Sequence, residues 1–186
     1  MKRIATLIVL VLLTAANVAA FTKYEPVSST PRQASRDATR EKLRTLLNTI
    51  GPKVNIDFRQ SDKNLYNFVG MLKTGLKNAD FLEVVISVTD QDTIGFRIYP
   101  HYGNSYVNID KARNSVGLMR QLLRFSDSNF LYWGADQSGD VFAGYTFTLE
   151  SGFPDEAIRV VLYSVPPLDQ FIGKMRPMID GTSGVN

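Results

Sequence analysis

Two blocks of β-branched, partly alternating residues, joined by a very short polar turn, constrain this chain more than any other feature. Leu82-Glu83-Val84-Val85-Ile86-Ser87-Val88-Thr89 and Thr93-Ile94-Gly95-Phe96-Arg97-Ile98-Tyr99 flank Asp90-Gln91-Asp92. Branched and aromatic side chains suit a pleated surface, and Ile94, Phe96 and Ile98 share one face. A three-residue connection returns the chain antiparallel, because a parallel crossover needs a dozen residues or more. Pro100 closes the second strand, and Tyr106-Val107-Asn108-Ile109 is expected to add a third. A further hairpin joins Phe130-Leu131-Tyr132-Trp133 to Val141–Leu149 through a polar Gly-Asp turn. In its second arm Val141, Ala143, Tyr145, Phe147 and Leu149 face one way.

Helical spacing surrounds these hairpins. Ser35 is the expected cap of a helix lined by Ala38, Leu43, Leu46, Leu47 and Ile50, and Gly51-Pro52 stops it. Val54, Ile56 and Phe58 alternate as a short strand. Leu65, Phe68, Val69, Leu72 and Leu76 fall on one face of an amphipathic helix, against which Gly70 and Gly75 weigh. Asp110 is the expected N-cap of a helix of about 14 residues lined by Ala112, Val116, Met119, Leu122 and Leu123. Pro154 opens another helix, Pro166-Pro167 interrupts it, and Leu168, Phe171, Ile172 and Met175 line a last one that Pro177 ends or kinks. The order α-(β/α)-βββ-α-ββ-α predicts an α+β fold: an antiparallel sheet of about five strands with helices packed on it.

The N-terminus reads as a secretory leader. Lys2-Arg3 precedes an apolar run from Ile4 to Leu13, and Val18 and Ala20 occupy the −3 and −1 positions of a cut before Phe21. An uncleaved anchor is the alternative, with Phe21, Lys23 and Tyr24 as its interfacial flank. The apolar run is shorter than the roughly 20 residues a spanning helix requires, which favours cleavage. Residues 1–20 are thus expected to be removed, 21–34 to form a flexible linker, 35–180 to form one domain, and 181–186 to be a loose tail. The product would be periplasmic or secreted, with no stable membrane anchor.

Composition excludes several chemistries. The chain has no cysteine, so disulfides, thiolate metal sites, cysteine nucleophiles and lipoprotein anchoring are ruled out. The net charge of +3 falls to +1 without Lys2 and Arg3, which gives little electrostatic reason to hold nucleic acid. His101 is the single histidine. A His-rich metal site is impossible, and beside Pro100 and Gly103 this residue reads as part of a loop. Asp90 and Asp92 read as a hairpin turn. Asp136 to Asp140 does not fit a calcium loop. Gly70 to Gly75 has phosphate-loop glycine spacing, but Leu76 follows where Lys is needed. No catalytic, metal or cofactor residue is assigned, and no cofactor is expected.

Together the acidic turn between two strands, Tyr106-Val107-Asn108-Ile109-Asp110, Leu118-Met119-Arg120-Gln121-Leu122-Leu123-Arg124 and Trp133-Gly134-Ala135-Asp136-Gln137-Ser138-Gly139-Asp140-Val141 resemble the YbjN-like family, also called the bacterial sensory transduction regulator family. That family is similar in fold to type III secretion chaperones. The resemblance implies a helix-and-sheet sandwich, often a homodimer, that binds a protein segment or regulates without chemistry.

The aromatics point to the same kind of function. Tyr99, Tyr102 and Tyr106 cluster at the end of the first hairpin, and Tyr132, Trp133, Phe142 and Tyr145 populate the second. Neighbours such as Tyr132 and Trp133, or Phe142 and Tyr145, must face opposite sides of a sheet. These seven form the candidate interaction surface. The expected function is a noncatalytic exported binding domain that holds a protein segment. A small-molecule or lipid carrier, and a hydrolase using carboxylates such as Asp90, Asp136 or Glu150, are the alternatives.

Overall fold

The computed structural model describes residues 31–181. The leader, the linker as far as residue 30, and the tail beyond Gly181 lie outside the described residues. In chain order the elements are α1 (Pro31–Ile50), a 3-10 turn (Gly51–Val54), β1 (Asp57–Gln60), β2 (Asn67–Leu72), β3 (Phe81–Val88), β4 (Thr93–Tyr102), β5 (Ser105–Tyr106), α2 (Ser115–Ser128), β6 (Tyr132–Ala135), β7 (Val141–Thr148), α3 (Asp155–Tyr163), a 3-10 turn (Pro166–Leu168) and α4 (Asp169–Asp180). The fold is α+β. The sheet has seven strands rather than about five, all antiparallel, in the order β1-β2-β3-β4-β7-β6, with β5 beside β4.

Strand alternation divides the sheet into two unlike faces. Phe68 and Leu72 of β2, Leu82, Val84, Ile86 and Val88 of β3, Ile94, Phe96 and Ile98 of β4, and Val141, Ala143 and Phe147 of β7 point to one side and are buried. The helices cover that side. Leu43, Leu47 and Ile50 come from α1, Leu118, Leu122 and Phe125 from α2, Ile158 and Leu162 from α3, and Ile172 and Met175 from α4. Burying a side chain such as Phe96 stabilises the fold by about 2–3 kcal/mol. The space between sheet and helices is filled by these side chains.

Several expectations are corrected. The helix expected over Leu65–Leu76 is the strand β2. Phe68, Gly70 and Leu72 point inward, and a Cβ at Gly70 would lie 2.5 Å from Ile56 Cγ2 and 2.7 Å from Phe58 Cδ1. Gly70 is there so that β1 can close over it. The helix after the leader begins at Pro31, inside the expected linker and ahead of Ser35; proline suits a first helical position because its missing N–H would be unpaired there anyway. Val54 belongs to a 3-10 turn, since Asn55 (φ 58°) turns the chain before β1 starts. The third strand shrinks to Ser105–Tyr106 and a single bridge between Asn108 and Asp140. Pro177 lies inside α4 without ending it.

The α2 helix is also read differently. Asn114, not Asp110, caps it, accepting from the Gly117 N–H at 2.8 Å. Its buried face is Leu118, Leu122 and Phe125. Val116, Met119 and Leu123, expected in the core, are 54%, 43% and 69% exposed and form a second apolar stripe on the outer side. Ser126 ties this helix to β6: its Oγ accepts from the Trp133 N–H at 2.7 Å.

One buried carboxylate fixes the opposite end of the helix layer. Asp169, at the start of α4, accepts from the backbone N–H groups of Lys77 (2.8 Å), Asn78 (2.9 Å) and Ala79 (2.8 Å), and from the Asn78 amide (3.0 Å). It clamps the loop between β2 and β3.

Candidate functional site

The second face of the sheet has no described element packed on it. Its residues are the alternates of the core residues: Val69 and Met71, Glu83, Val85 and Ser87, Gly95, Arg97 and Tyr99, Phe142, Gly144 and Thr146, and Tyr132.

At one end of this face, aromatic rings form a row across the strands. Phe81 of β3 stacks on His101 of β4 at 3.8 Å, and His101 meets Tyr106 of β5 at 4.0 Å. Register explains both contacts, because Phe81 and Tyr106 are the cross-strand partners of His101. The row continues from Tyr106 to Tyr99 (5.7 Å), then Phe142 (5.6 Å), then Tyr132 (5.9 Å). Gly144 makes room for the last ring: a Cβ there would lie 2.5 Å from Tyr132 Cζ. Tyr132 therefore lies flat across β7 with 44% of its surface exposed.

Glu83 sits beneath the row. Its Oε2 accepts from the Tyr106 hydroxyl at 2.8 Å and lies 3.3 Å from His101 Nε2, which donates to it in that tautomer. Burial, helped by Glu83, pushes the Tyr106 hydroxyl up to about 12. Burial lowers His101 below the usual imidazole range, and Glu83 works against that shift. Tyr99 is raised, chiefly by burial. These groups are neutral or hydrogen-bonded, so the row presents ring faces more than charge.

Beside the row lies a groove of about 460 Å³. A Cβ added to Gly95 would meet nothing within 4 Å, so this glycine leaves the floor open. Asn67, Ser87, Thr93 and Thr146 line one side, and Tyr99 and Tyr132 the other. Arg97 lies between them, its guanidinium 4.8 Å from the Phe142 ring centre and its Nη1 donating to Tyr99 Oη at 3.4 Å.

The seven aromatics singled out in the sequence thus divide. Tyr99, Tyr106, Tyr132 and Phe142 meet on the open face. Tyr102, Trp133 and Tyr145 do not: they point to the helix side. Tyr102 donates to Asp180 at 2.8 Å and carries Arg176 over its ring, joining β4 to α4. Trp133 is buried against Phe125 and Phe171. Tyr145 packs between Phe130 and Phe147. Odd spacing within a strand puts them there. Phe81, Glu83, Gly95, Arg97 and His101 are site residues that sequence reasoning missed. The signal was the alternation itself, since Gly95, Arg97, Tyr99 and His101 are the odd positions of β4. His101 is a buried strand residue, not a loop residue, because Pro100 is accommodated inside β4.

The carboxylates weighed for hydrolysis do not converge. Asp90 lies at the β3–β4 turn, in a small cleft with Arg32 and Arg36. Glu150 lines a larger cleft of about 750 Å³ along α1, with Arg32, Lys42, Asp92 and Phe153. Asp136 sits beside Tyr99, at the other end of β4 and roughly 20 Å along the strand from that turn. Its Oδ1 accepts from the N–H groups of Ser138 and Asp140, as a turn residue does. Among the described residues no three His, Cys, Asp or Glu side chains gather as a metal site, and no helix is long and apolar enough to cross a membrane. Comparison with family models, with curated proteins and with solved structures found no match to this chain.

Proposed function

We propose that this chain is a noncatalytic, exported binding domain of the YbjN-like kind, and that the open sheet face holds a segment of a partner protein. One observation carries the reading: a sheet face with no described element packed on it carries a row of six contacting rings, of which Tyr106 and Tyr132 are exposed, beside an open-floored groove. Exposed aromatic faces of this sort mark interaction sites, because rings offer large contact area at little entropic cost. Both edge strands, β1 and β6, are four residues long, so strand addition has little edge to use. The face is the better platform.

The test is selection of binders from a displayed library of random peptides, followed by affinity measurement on variants. Tyr132→Ala and Tyr99→Ala are expected to weaken a selected peptide by about 10-fold or more each. Phe130→Ala, on the other side of the sheet, is expected to leave it unchanged. Equal affinity for all three variants contradicts the reading. Export predicts a mature chain that starts at Phe21, which N-terminal sequencing of the exported product checks.

A second copy of this chain is the partner proposed for the outer stripe of α2. Val116, Met119 and Leu123 stand exposed on one side of α2. An apolar stripe of this kind can pack on its own copy across a two-fold axis. Such a self-complementary patch is what an isologous interface requires.

A further inference from the structure

The groove on the open face carries one formal charge among its lining residues, and that charge is Arg97. Arg40, Arg44, Arg59 and Arg159 have a carboxylate within 4 Å, whereas Arg97, like several other arginines of the described residues, does not. Arg97 is nevertheless held in place, by the Phe142 ring beneath it and the Tyr99 hydroxyl beside it. Of the two acidic groups nearest the row, Glu83 is engaged with Tyr106 and His101, and Asp136 holds its own turn through Oδ1 and reaches Arg97 only through the Tyr99 hydroxyl, at its Oδ2. The same groove is lined by short neutral side chains, Ser87, Thr146 and Asn67 among them. A fixed, exposed guanidinium with no carboxylate within 4 Å, at the edge of an open-floored groove, is complementary to a carboxylate.

We propose that the segment held on this face is acidic, and that Arg97 anchors it by pairing with an Asp or Glu side chain while Tyr99 and Tyr132 pack against the neighbouring residues. This rests on the reading of the open face given above. The planar fork of arginine can take both oxygens of a carboxylate at once, and its place over Phe142 keeps it from swinging away. The pairing gives the groove a chemical preference that aromatic rings alone do not supply.

Random peptides displayed on phage and selected on the purified wild-type chain, and separately on Arg97→Glu, test the proposal. Arg97 is exposed and forms no salt bridge within 4 Å among the described residues, so both proteins are expected to fold, which circular dichroism verifies. Wild-type selections are expected to be enriched in Asp and Glu, and Arg97→Glu selections in Lys and Arg. A selected acidic peptide is expected to lose about 10-fold or more in affinity on Arg97→Gln, and similarly when its Asp or Glu is replaced by Asn or Gln. Arg97→Lys, which keeps the charge but loses the fork, is expected to fall between. Enrichment of the same neutral sequences by both proteins overturns the anchor and leaves the binding face standing. Enrichment that depends on a free C-terminal carboxylate overturns the side-chain pairing. Failure of the wild-type chain to enrich any sequence overturns both the anchor and the reading beneath it.

Discussion

At the scale of the residue, two buried titratable groups both make the fold weaker as the pH falls, for different reasons and in different pH ranges. Asp169 is desolvated, which alone would raise its pKa, but the backbone N–H groups of Lys77, Ala79 and Asn78 more than offset that and hold it below the usual carboxylate range. A folded pKa below the unfolded one means the clamp is at full strength above about pH 4 and is lost as the pH falls through the folded value. Asp169→Ala is expected to cost roughly 2–3 kcal/mol at neutral pH. Asp169→Asn is expected to flatten the acid limb of the stability profile, both read from urea midpoints. His101 also favours the deprotonated form in the fold, for the different reason that burial penalises the imidazolium; Glu83 of β3 and, more weakly, Asp140 and Asp80 oppose this. The unfolded chain then takes up the proton first. Stability is complete above about pH 6.5 and declines as the pH falls below it, until folded His101 protonates too. Because the chain has one histidine, His101→Phe, which keeps the stack on Phe81, is expected to remove that slope from the urea midpoints. An unchanged slope would assign it to other groups.

At the scale of the element, faces matter more than element types. Gly144 and Gly70 show this from opposite sides of the sheet. Gly144→Ala pushes only on the far end of the Tyr132 ring, so the protein is expected to fold with little loss while peptide affinity falls; calorimetry reads both. Gly70→Ala pushes on Ile56 and Phe58 in the core and is expected to cost about 1–3 kcal/mol. The hairpins from Leu82 to Tyr99 and from Tyr132 to Leu149 were legible in the sequence because their alternation is sustained and their turns are short. The segment from Leu65 to Leu76 was not. Its strand is apolar on both faces, with Val69 and Met71 outside and Phe68 and Leu72 inside, and that mixture also satisfies a helical period. The same ambiguity rotated α2: both of its sides are apolar, so spacing could not tell Leu118 from Met119. Within the candidate site, Tyr99, Tyr106, Tyr132 and Phe142 were legible as aromatics. Arg97 and Gly95 were not, since their importance comes from what stands next to them on other strands. For the outer stripe of α2, Leu123→Glu is expected to convert a dimer to a monomer in light scattering without changing the melting temperature of the fold. A wild-type monomer at high concentration would contradict the self-pairing.

At the scale of the whole molecule, the asymmetry of the sheet is the organising fact. The four helices of the described residues lie on one side and complete a single core, so most of the domain's apolar burial is on that side. The other face carries rings, hydroxyls, Glu83 and the exposed Arg97. Substitutions there are therefore expected to change binding more than folding, whereas Phe96→Ala, whose side chain is fully buried, is expected to cost about 3–5 kcal/mol.

The most direct test is an amide NMR map of the isotope-labelled chain titrated with a selected peptide. If the open face is the binding surface, perturbed amides concentrate at Val85–Ser87, Gly95–Tyr99, Tyr132–Gly134 and Phe142–Thr146, while those of α1 and α4 stay in place. Perturbations centred on the cleft of Arg32, Lys42 and Glu150, or on the outer stripe of α2, would contradict the account.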